Sequence, residues 1–414
     1  MRSSDPAVKD VKETSIGPAT PGDLRPLVAE GVSPWLDGIH RDLITSGSLA
    51  RLIEETGLRG ATSNPAVLAG WLRHDSAYLD QLTRLAAHEV SVEGAVWAAS
   101  VHDLRLACDA LHPVFEETHG YDGLVSMDMD PRMAHDPAAT TAEAVELARA
   151  VDRPNMLVKI PATAEGLVAI RDCIGLGIGV HATGVFSVQR YGQVADAYFA
   201  GLERALAAGR QLSAIPSVAS LPVDRADDEI DSRLGAVGSE DALALRGQAA
   251  LATARLMYRV YEERLGSARW RALRASGARP QRLMWTDSTL ESPPLARTRY
   301  VEVLISWGTV HAMTQPIVEE AARYLRLRGD TLMGQHEAAQ GVLDKLGRLG
   351  ISYDAVVRKL ESTSVTSLVD SWLRLLEAVG AQLRAAAVNP SPARPRPGGP
   401  ATPGTPAHAE SADS

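Results

Sequence analysis

The sequence predicts an α/β fold, a (β/α)8 TIM barrel with additional helices, and three observations point there. Seven or eight short apolar runs alternate with helical patterns over most of the chain, the pattern of strand-helix units closing into a barrel. No Gly-x-Gly-x-x-Gly or Gly-x-x-x-x-Gly-Lys-Ser/Thr turn follows an early run, although the competing doubly wound sheet would be expected to carry one. Polar residues gather where the apolar runs end, at Asp37, Asn64, Asp128, Lys159, His181 with Thr183, Ser220 and Asp287. A barrel keeps its chemistry at those C-terminal strand ends.

The elements follow in order. Residues 1–24 are polar with scattered proline and read as a mobile arm. Ser33-Pro34-Trp35-Leu36-Asp37 is a short strand ending in an acid, with a helix expected from Arg41 to Thr56. Leu58 to Pro65 holds a second strand, and helical patterns cover 76–88 and 92–111. Gly123 to Asp130 is a third strand, which Pro131 stops. A helix at 139–151 leads to the strand Asn155-Met156-Leu157-Val158-Lys159-Ile160, and a helix at 165–175 leads to a fifth strand, Ile178 to Val185. An amphipathic helix at 188–208 precedes a sixth strand, Ser213 to Ser220. A helical block spans 222–266, with a break near Gly235 to Ser239. The seventh strand is Gln281 to Ser288, a weaker eighth lies near 301–313, and helices are expected at 316–327, 333–349 and 352–380. The barrel unit is thus expected over 25–380, and the Pro/Ala/Gly/Ser-rich segment 388–414 reads as a disordered tail.

Composition narrows the class. At 45% hydrophobic and 22% charged, the chain has the make-up of a globular protein with a sizeable core. A net charge of −9, without basic runs interleaved with aromatics, argues against nucleic acid as a partner. Two widely spaced cysteines, Cys108 and Cys173, suit a reducing compartment rather than a disulfide framework. Neither a membrane-length apolar run nor a signal-peptide core occurs. The expectation is a cytoplasmic protein without membrane partners, a monomer or homodimer.

Lys159 is the first candidate for chemistry. Of 42 basic residues only 5 are lysine, and between Lys12 and Lys345 the only one is Lys159. Arginine carries a solvated charge equally well but keeps its proton near neutral pH. A lysine at the end of an apolar strand can lose it, because desolvation disfavours the ammonium, and the neutral amine forms a Schiff base with a carbonyl. The plain alternative is a strand-end lysine that snorkels or pairs with an acid.

Several stretches together resemble the transaldolase family in its longer bacterial form. They are Ser33-Pro34-Trp35-Leu36-Asp37, Gly60-Ala61-Thr62-Ser63-Asn64-Pro65, Val125 to Arg132 and Val158-Lys159-Ile160-Pro161-Ala162-Thr163. The resemblance implies a class I aldolase barrel that moves a three-carbon dihydroxyacetone unit between sugar phosphates, with no metal or organic cofactor. It makes Lys159 the Schiff-base lysine, Asp37 the acid/base at the C–C bond, and Thr183 the holder of the catalytic water. It assigns Asn64 to the bound dihydroxyacetone, and Ser220 and Arg225 to the substrate phosphate. For Arg225, a planar fork suited to phosphate, a salt bridge to Asp227 or Asp228 is the alternative.

The departures from that pattern are chemical. Asp128 stands where the family has glutamate, a carboxylate one methylene shorter at the catalytic water. His181 stands where asparagine is usual and is assigned with the substrate-binding residues, and Glu291 replaces a lysine that would favour phosphate. Arg297 and Arg299 are candidates to compensate. Besides a transaldolase, the residues leave open a lysine-dependent aldolase for an unusual sugar and a non-catalytic barrel kept for binding or scaffolding.

Overall fold

The computed structural model describes residues 22–72, 76–287 and 298–388. Eight parallel strands close in sequence order into one barrel. They are β1 (Val32–Asp37), β2 (Gly60–Thr62), β3 (Leu124–Asp128), β4 (Met156–Pro161), β5 (Val180–Thr183), β6 (Ser217–Pro222), β7 (Arg282–Asp287) and β8 (Thr309–Thr314). Each strand is buried on both faces, as a helix-wrapped parallel sheet requires. β1 closes on β8 with Asp37 opposite Thr314, while Lys159 pairs with Asp128 on one side and His181 on the other.

Alternation sorts the side chains into two cores. Trp35, Leu124, Leu157, Val218, Met284, Val310 and Ala312 form an apolar plug inside the barrel. The opposite faces of the same strands, with Leu36, Val158 and Trp285, pack against the helices in the main core. Residues two positions onward from the plug, Asp37 after Trp35 and Lys159 after Leu157, therefore point into the barrel mouth. The plug explains a glycine: a Cβ on Gly60 would lie 2.4 Å from the Trp35 ring. Trp35 fills the space that any side chain at 60 would need.

Three expectations about the elements change. The helix expected from Arg41 to Thr56 is two, Arg41–Thr45 and Ser48–Thr56, because Gly47 takes φ 76° between them. The sixth strand begins at Ser217, after a 3-10 turn over Leu212–Ala214. The eighth is shorter than expected, with Arg299–Val303 helical before it and Gly308 turning into Thr309. Pro65–Leu72, Ala268–Ala275 and Arg25–Ala29 are short helices that the sequence reading lacks. The first is apolar all round and so lacks the period that marks an amphipathic helix.

The last helix runs from Tyr353 to Val388, beyond the expected end at 380. Its Leu375, Val379 and Leu383 join Leu68, Tyr78, Leu82 and Val96 in a separate apolar cluster. No described helix is long and apolar enough to cross a membrane. All but the inner edges of the expected arm and tail lie outside the described residues.

Candidate active site

The barrel mouth assembles around Lys159. Its Nζ donates to the Ser63 carbonyl at 3.2 Å and to Asp128 Oδ2 at 3.3 Å. Ser63 ties that carboxylate down: its Oγ donates to Asp128 Oδ2 at 2.7 Å and accepts from the Asp128 backbone N–H at 2.8 Å. The lysine and aspartate side chains are 13% and 8% exposed, so the pair is sheltered yet reachable from the mouth.

Asp37 lies across this pair. Burial in the barrel pushes its carboxyl up to about 6, with the Lys159 charge opposing and Asp128 reinforcing. Asn64 Nδ2 donates to Asp37 Oδ2 at 3.4 Å. The amide is oriented by its other end, since Asn64 Oδ1 accepts from the Ala66 and Val67 backbone N–H groups and caps the helix Pro65–Leu72. Asp37 Oδ1 is buried without a hydrogen-bond partner among the described residues.

Below Lys159 lies a polar belt. Ser126 Oγ donates to Thr62 Oγ1 at 2.7 Å and lies 2.9 Å from His181 Nδ1. Ser220 Oγ lies 2.8 Å from His181 Nε2 and 3.2 Å from Thr183 Oγ1. Burial, aided by the Lys159 charge, pushes the imidazolium far out of favour, so His181 is neutral near pH 7. Above it, Gly184 leaves β5 at φ 72°, a turn that glycine makes without strain. A cavity of about 580 Å³ opens there, from Thr183 and Pro161–Thr163 to Arg358, Ser362 and Thr366 on the last helix.

Sequence comparison matches this barrel to known proteins. The family model described as Transaldolase/Fructose-6-phosphate aldolase matches residues 34–379. Transaldolase 1 of Streptomyces avermitilis is 47% identical, covering 87% of this chain and 96% of that protein. The transaldolase of Thermobifida fusca is also 47% identical, over 87% of this chain and 98% of its own length. That of Mycolicibacterium smegmatis is 44% identical, over 88% and 98%. The chain belongs to the transaldolase/fructose-6-phosphate aldolase family.

Within this family member, the structure brings Lys159, Asp128, Asp37 and Asn64 together at one end of the barrel, with Thr183 on the neighbouring strand. His181 and Ser220 are 0% exposed and bonded to each other, beneath the mouth rather than lining it. Arg225 sits in the first turn of the helix Val223–Val237, just past β6. It makes no ion pair with a described residue; Asp227 instead takes the Ala250 N–H and the Tyr300 hydroxyl. Arg299 bonds the Gly247 carbonyl and lies over the Tyr300 ring. Glu291 and Arg297 fall outside the described residues.

Sequence reasoning passed over Ser63, Thr62 and Ser126. Ser63 stands beside Asn64 in a strand-end motif and was visible as polar. Its partner is 65 residues away, which spacing cannot reveal. Ser126 and Thr62 are apolar-strand hydroxyls, and such residues mostly satisfy a neighbouring backbone group.

Proposed function

We propose that this enzyme is a transaldolase, carrying a dihydroxyacetone unit from a ketose phosphate to an aldose phosphate on Lys159. One observation carries the reading: a lone mid-chain lysine at a barrel mouth, with Asp128 3.3 Å from its Nζ and Asp37 facing it. Family membership supports the same chemistry.

The steps follow from these groups. Asp128 accepts the lysine proton, and the freed amine adds to the C2 carbonyl of the ketose. Loss of water leaves an iminium. Asp37 takes the proton of the C4 hydroxyl, the C3–C4 bond breaks with its electrons drawn into the iminium, and the aldose leaves. The enamine left on Lys159 attacks the aldehyde carbon of an acceptor, and Asp37 returns its proton to the new C4 oxygen. Water then adds to the iminium, held by Thr183, and Lys159 is released. Asn64 binds the dihydroxyacetone hydroxyls beside Asp37. Arg225, whose backbone N–H is tied to Asp224 Oδ1 while its guanidinium has no ion pair among the described residues, takes the phosphate with its planar fork.

Asp128 in place of glutamate is compatible with this scheme. The shorter carboxylate reaches Lys159 directly because Ser63 holds it there by two hydrogen bonds. The test is reduction with borohydride in the presence of fructose 6-phosphate. Mass spectrometry is expected to find the adduct on Lys159, and product analysis to find sedoheptulose 7-phosphate only when erythrose 4-phosphate is supplied. An adduct elsewhere, or none with any ketose phosphate, sinks the mechanism. Release of glyceraldehyde 3-phosphate and free dihydroxyacetone without an acceptor would make the protein an aldolase instead.

A further inference from the structure

Thr314 ends β8 with a hydroxyl that serves nothing in the helix it begins. Its backbone is extended, at φ −64° and ψ 158°, and it occupies the N-cap of the helix Gln315–Tyr324. A threonine there usually accepts from the second or third helical N–H. Ser91, Asp136, Thr163, Ser187, Ser239 and Ser267 all cap their helices in this way. Thr314 makes no such bond. Pro316 removes one of the two N–H groups, and the hydroxyl does not turn to the other.

The side chain belongs to the barrel interior instead. Val310 and Ala312 are part of the plug, so alternation puts Thr314 on the same inner face, one layer above them. It is 8% exposed, and its Oγ1 is buried without a hydrogen-bond partner among the described residues. Its register partner across the seam between β1 and β8 is Asp37. There a second buried atom stands unpartnered, Asp37 Oδ1, although Asp37 as a whole is only partly buried. The other carboxylate oxygen, Oδ2, meets the Asn64 amide just past β2. Since β1 has only β2 and β8 as neighbours, Asn64 and Thr314 bracket the carboxylate.

A buried acceptor left unmet is costly, and ionised Asp37 can only accept. The two unpartnered atoms do not touch in this structure. Paired strands run about 4.8 Å apart, however, and a hydroxyl and a carboxylate span that gap after a turn about the threonine Cα–Cβ bond. We propose that Thr314 is a positioning residue whose hydroxyl donates to Asp37 Oδ1 when Asp37 is ionised, so that Oδ2, beside Asn64, takes the C4 proton. That proton passes from the C4 hydroxyl to Oδ2 while the electrons of the C3–C4 bond enter the iminium on Lys159. The inference rests on the Schiff-base reading above.

The experiment reads the acid limb of the full-length enzyme's transfer from fructose 6-phosphate to erythrose 4-phosphate. A donor to the ionised form lowers the pKa of a carboxyl, and losing the donor raises it. The charges that also face Asp37 are Lys159 from β4, Asp128 from β3 and Asp224 from the helix Val223–Val237, and they are the same in every variant. Thr314→Val keeps the shape and removes the hydroxyl. Its limb is expected about one pH unit above the parent's, the worth of one hydrogen bond to a charged group. On the limb, the rate at a given pH then falls about ten-fold. The adduct trapped by borohydride stays unchanged, since the proposed scheme forms it without Asp37. Thr314→Ser is expected to return the limb to the parent's position. Thr314→Ala gives the same reading as Thr314→Val should the valine protein fail to fold. A parent-like limb in a folded valine or alanine variant overturns the proposal, whatever happens to stability. A serine variant displaced as far as the valine one overturns it too. A parent that traps the ketose but has no acid limb takes Asp37 out of the chemistry and ends this proposal, while the Schiff base stands. A parent that traps no ketose overturns the Schiff-base reading itself, and this proposal with it.

Discussion

Lys159 and Arg282 occupy opposite ends of the same barrel interior and are held by opposite means. At the N-terminal end, Arg282 Nη1 donates to Asp122 Oδ1 at 2.9 Å and to Ser33 Oγ at 2.7 Å, and Ser33 also donates to Asp122 at 2.7 Å. Its guanidinium lies 4.3 Å from the centre of the Tyr121 ring. The two charged side chains are only 4% and 6% exposed. Burial works against the charge, but Asp122 and Tyr121 outweigh it, and Arg282 is held more firmly charged than a free arginine. At the C-terminal end, Lys159 makes two long contacts, at 3.2 and 3.3 Å, and faces an open mouth. One cation is enclosed by a carboxylate, a hydroxyl and a ring, whereas the other is held by two long contacts at the mouth. The apolar plug of Trp35, Leu157 and Met284 separates them.

Exchanging what each end needs is the strongest way to break this comparison. Lys159→Arg keeps the charge beside Asp128 but has no amine to offer. Turnover and the borohydride adduct are expected to vanish, with stability by urea titration changed by less than about 1 kcal/mol. Arg282→Met at the other end leaves Asp122 buried without its cation, at a cost of about 3–5 kcal/mol. Its kcat at low temperature, where the protein remains folded, should match the parent. Loss of stability in Lys159→Arg as large as in Arg282→Met would show that both cations are structural.

Asp37 sharpens the comparison from the catalytic side. With its carboxyl pushed up from 3.8 to about 6, the folded state prefers the protonated form. That preference stabilises the fold fully below pH 3.8 and is lost as pH rises through about 6. Above that pH the wild-type carboxylate is therefore a burden that Asp37→Asn removes. At about 1.4 kcal/mol per pH unit the gain has a ceiling of about 3 kcal/mol. Asp37→Asn is expected to unfold at higher urea than the parent at about pH 7.5 and at equal urea at about pH 3.5. It should still form the Lys159 adduct while C–C cleavage falls roughly 10²-fold. In the proposed mechanism cleavage needs the ionised form, so the parent's rate should decline below about pH 6. A pH-independent stability difference would remove burial of Asp37 as the cause.

The two ends also differ in how much the sequence discloses. Lys159, Asp37 and Asn64 were legible because strand ends in a barrel collect chemistry and because one lysine stood alone among arginines. The barrel was legible from the same alternation. Ser63 and Ser126 were not, since their partners Asp128 and His181 lie 65 and 55 residues away and hydroxyls carry no period. Arg282 lies within the expected seventh strand, Gln281 to Ser288, where nothing in the sequence names a partner for it. Only the closure of β7 beside β8, and of β8 beside β1, brings it to Ser33. The helix Pro65–Leu72 was hidden by its uniform apolarity, although it is the element whose N-terminus orients Asn64.

The smallest expected effect is the most discriminating at the closed end. Arg282→Lys keeps a cation near Asp122 but loses the planar fork and most of its stacking on Tyr121. A lysine is a compact, strongly hydrated charge with a shorter reach, so it can satisfy Asp122 or Ser33 Oγ more easily than both. One charge-assisted hydrogen bond and part of a cation–π contact are lost, and the charge pairing is kept. A cost of about 1–2 kcal/mol follows, well short of the cost of Arg282→Met. Because the introduced amine would be enclosed by Asp122 rather than by an open mouth, it should stay protonated, and borohydride with a ketose should leave it unlabelled. Urea titration checks the first expectation and peptide mapping after reduction the second. A cost equal to that of Arg282→Met would mean that fork geometry rather than charge closes the barrel. Label on the introduced amine would mean that any amine inside this barrel reacts, and that the open mouth around Lys159 is not what selects it.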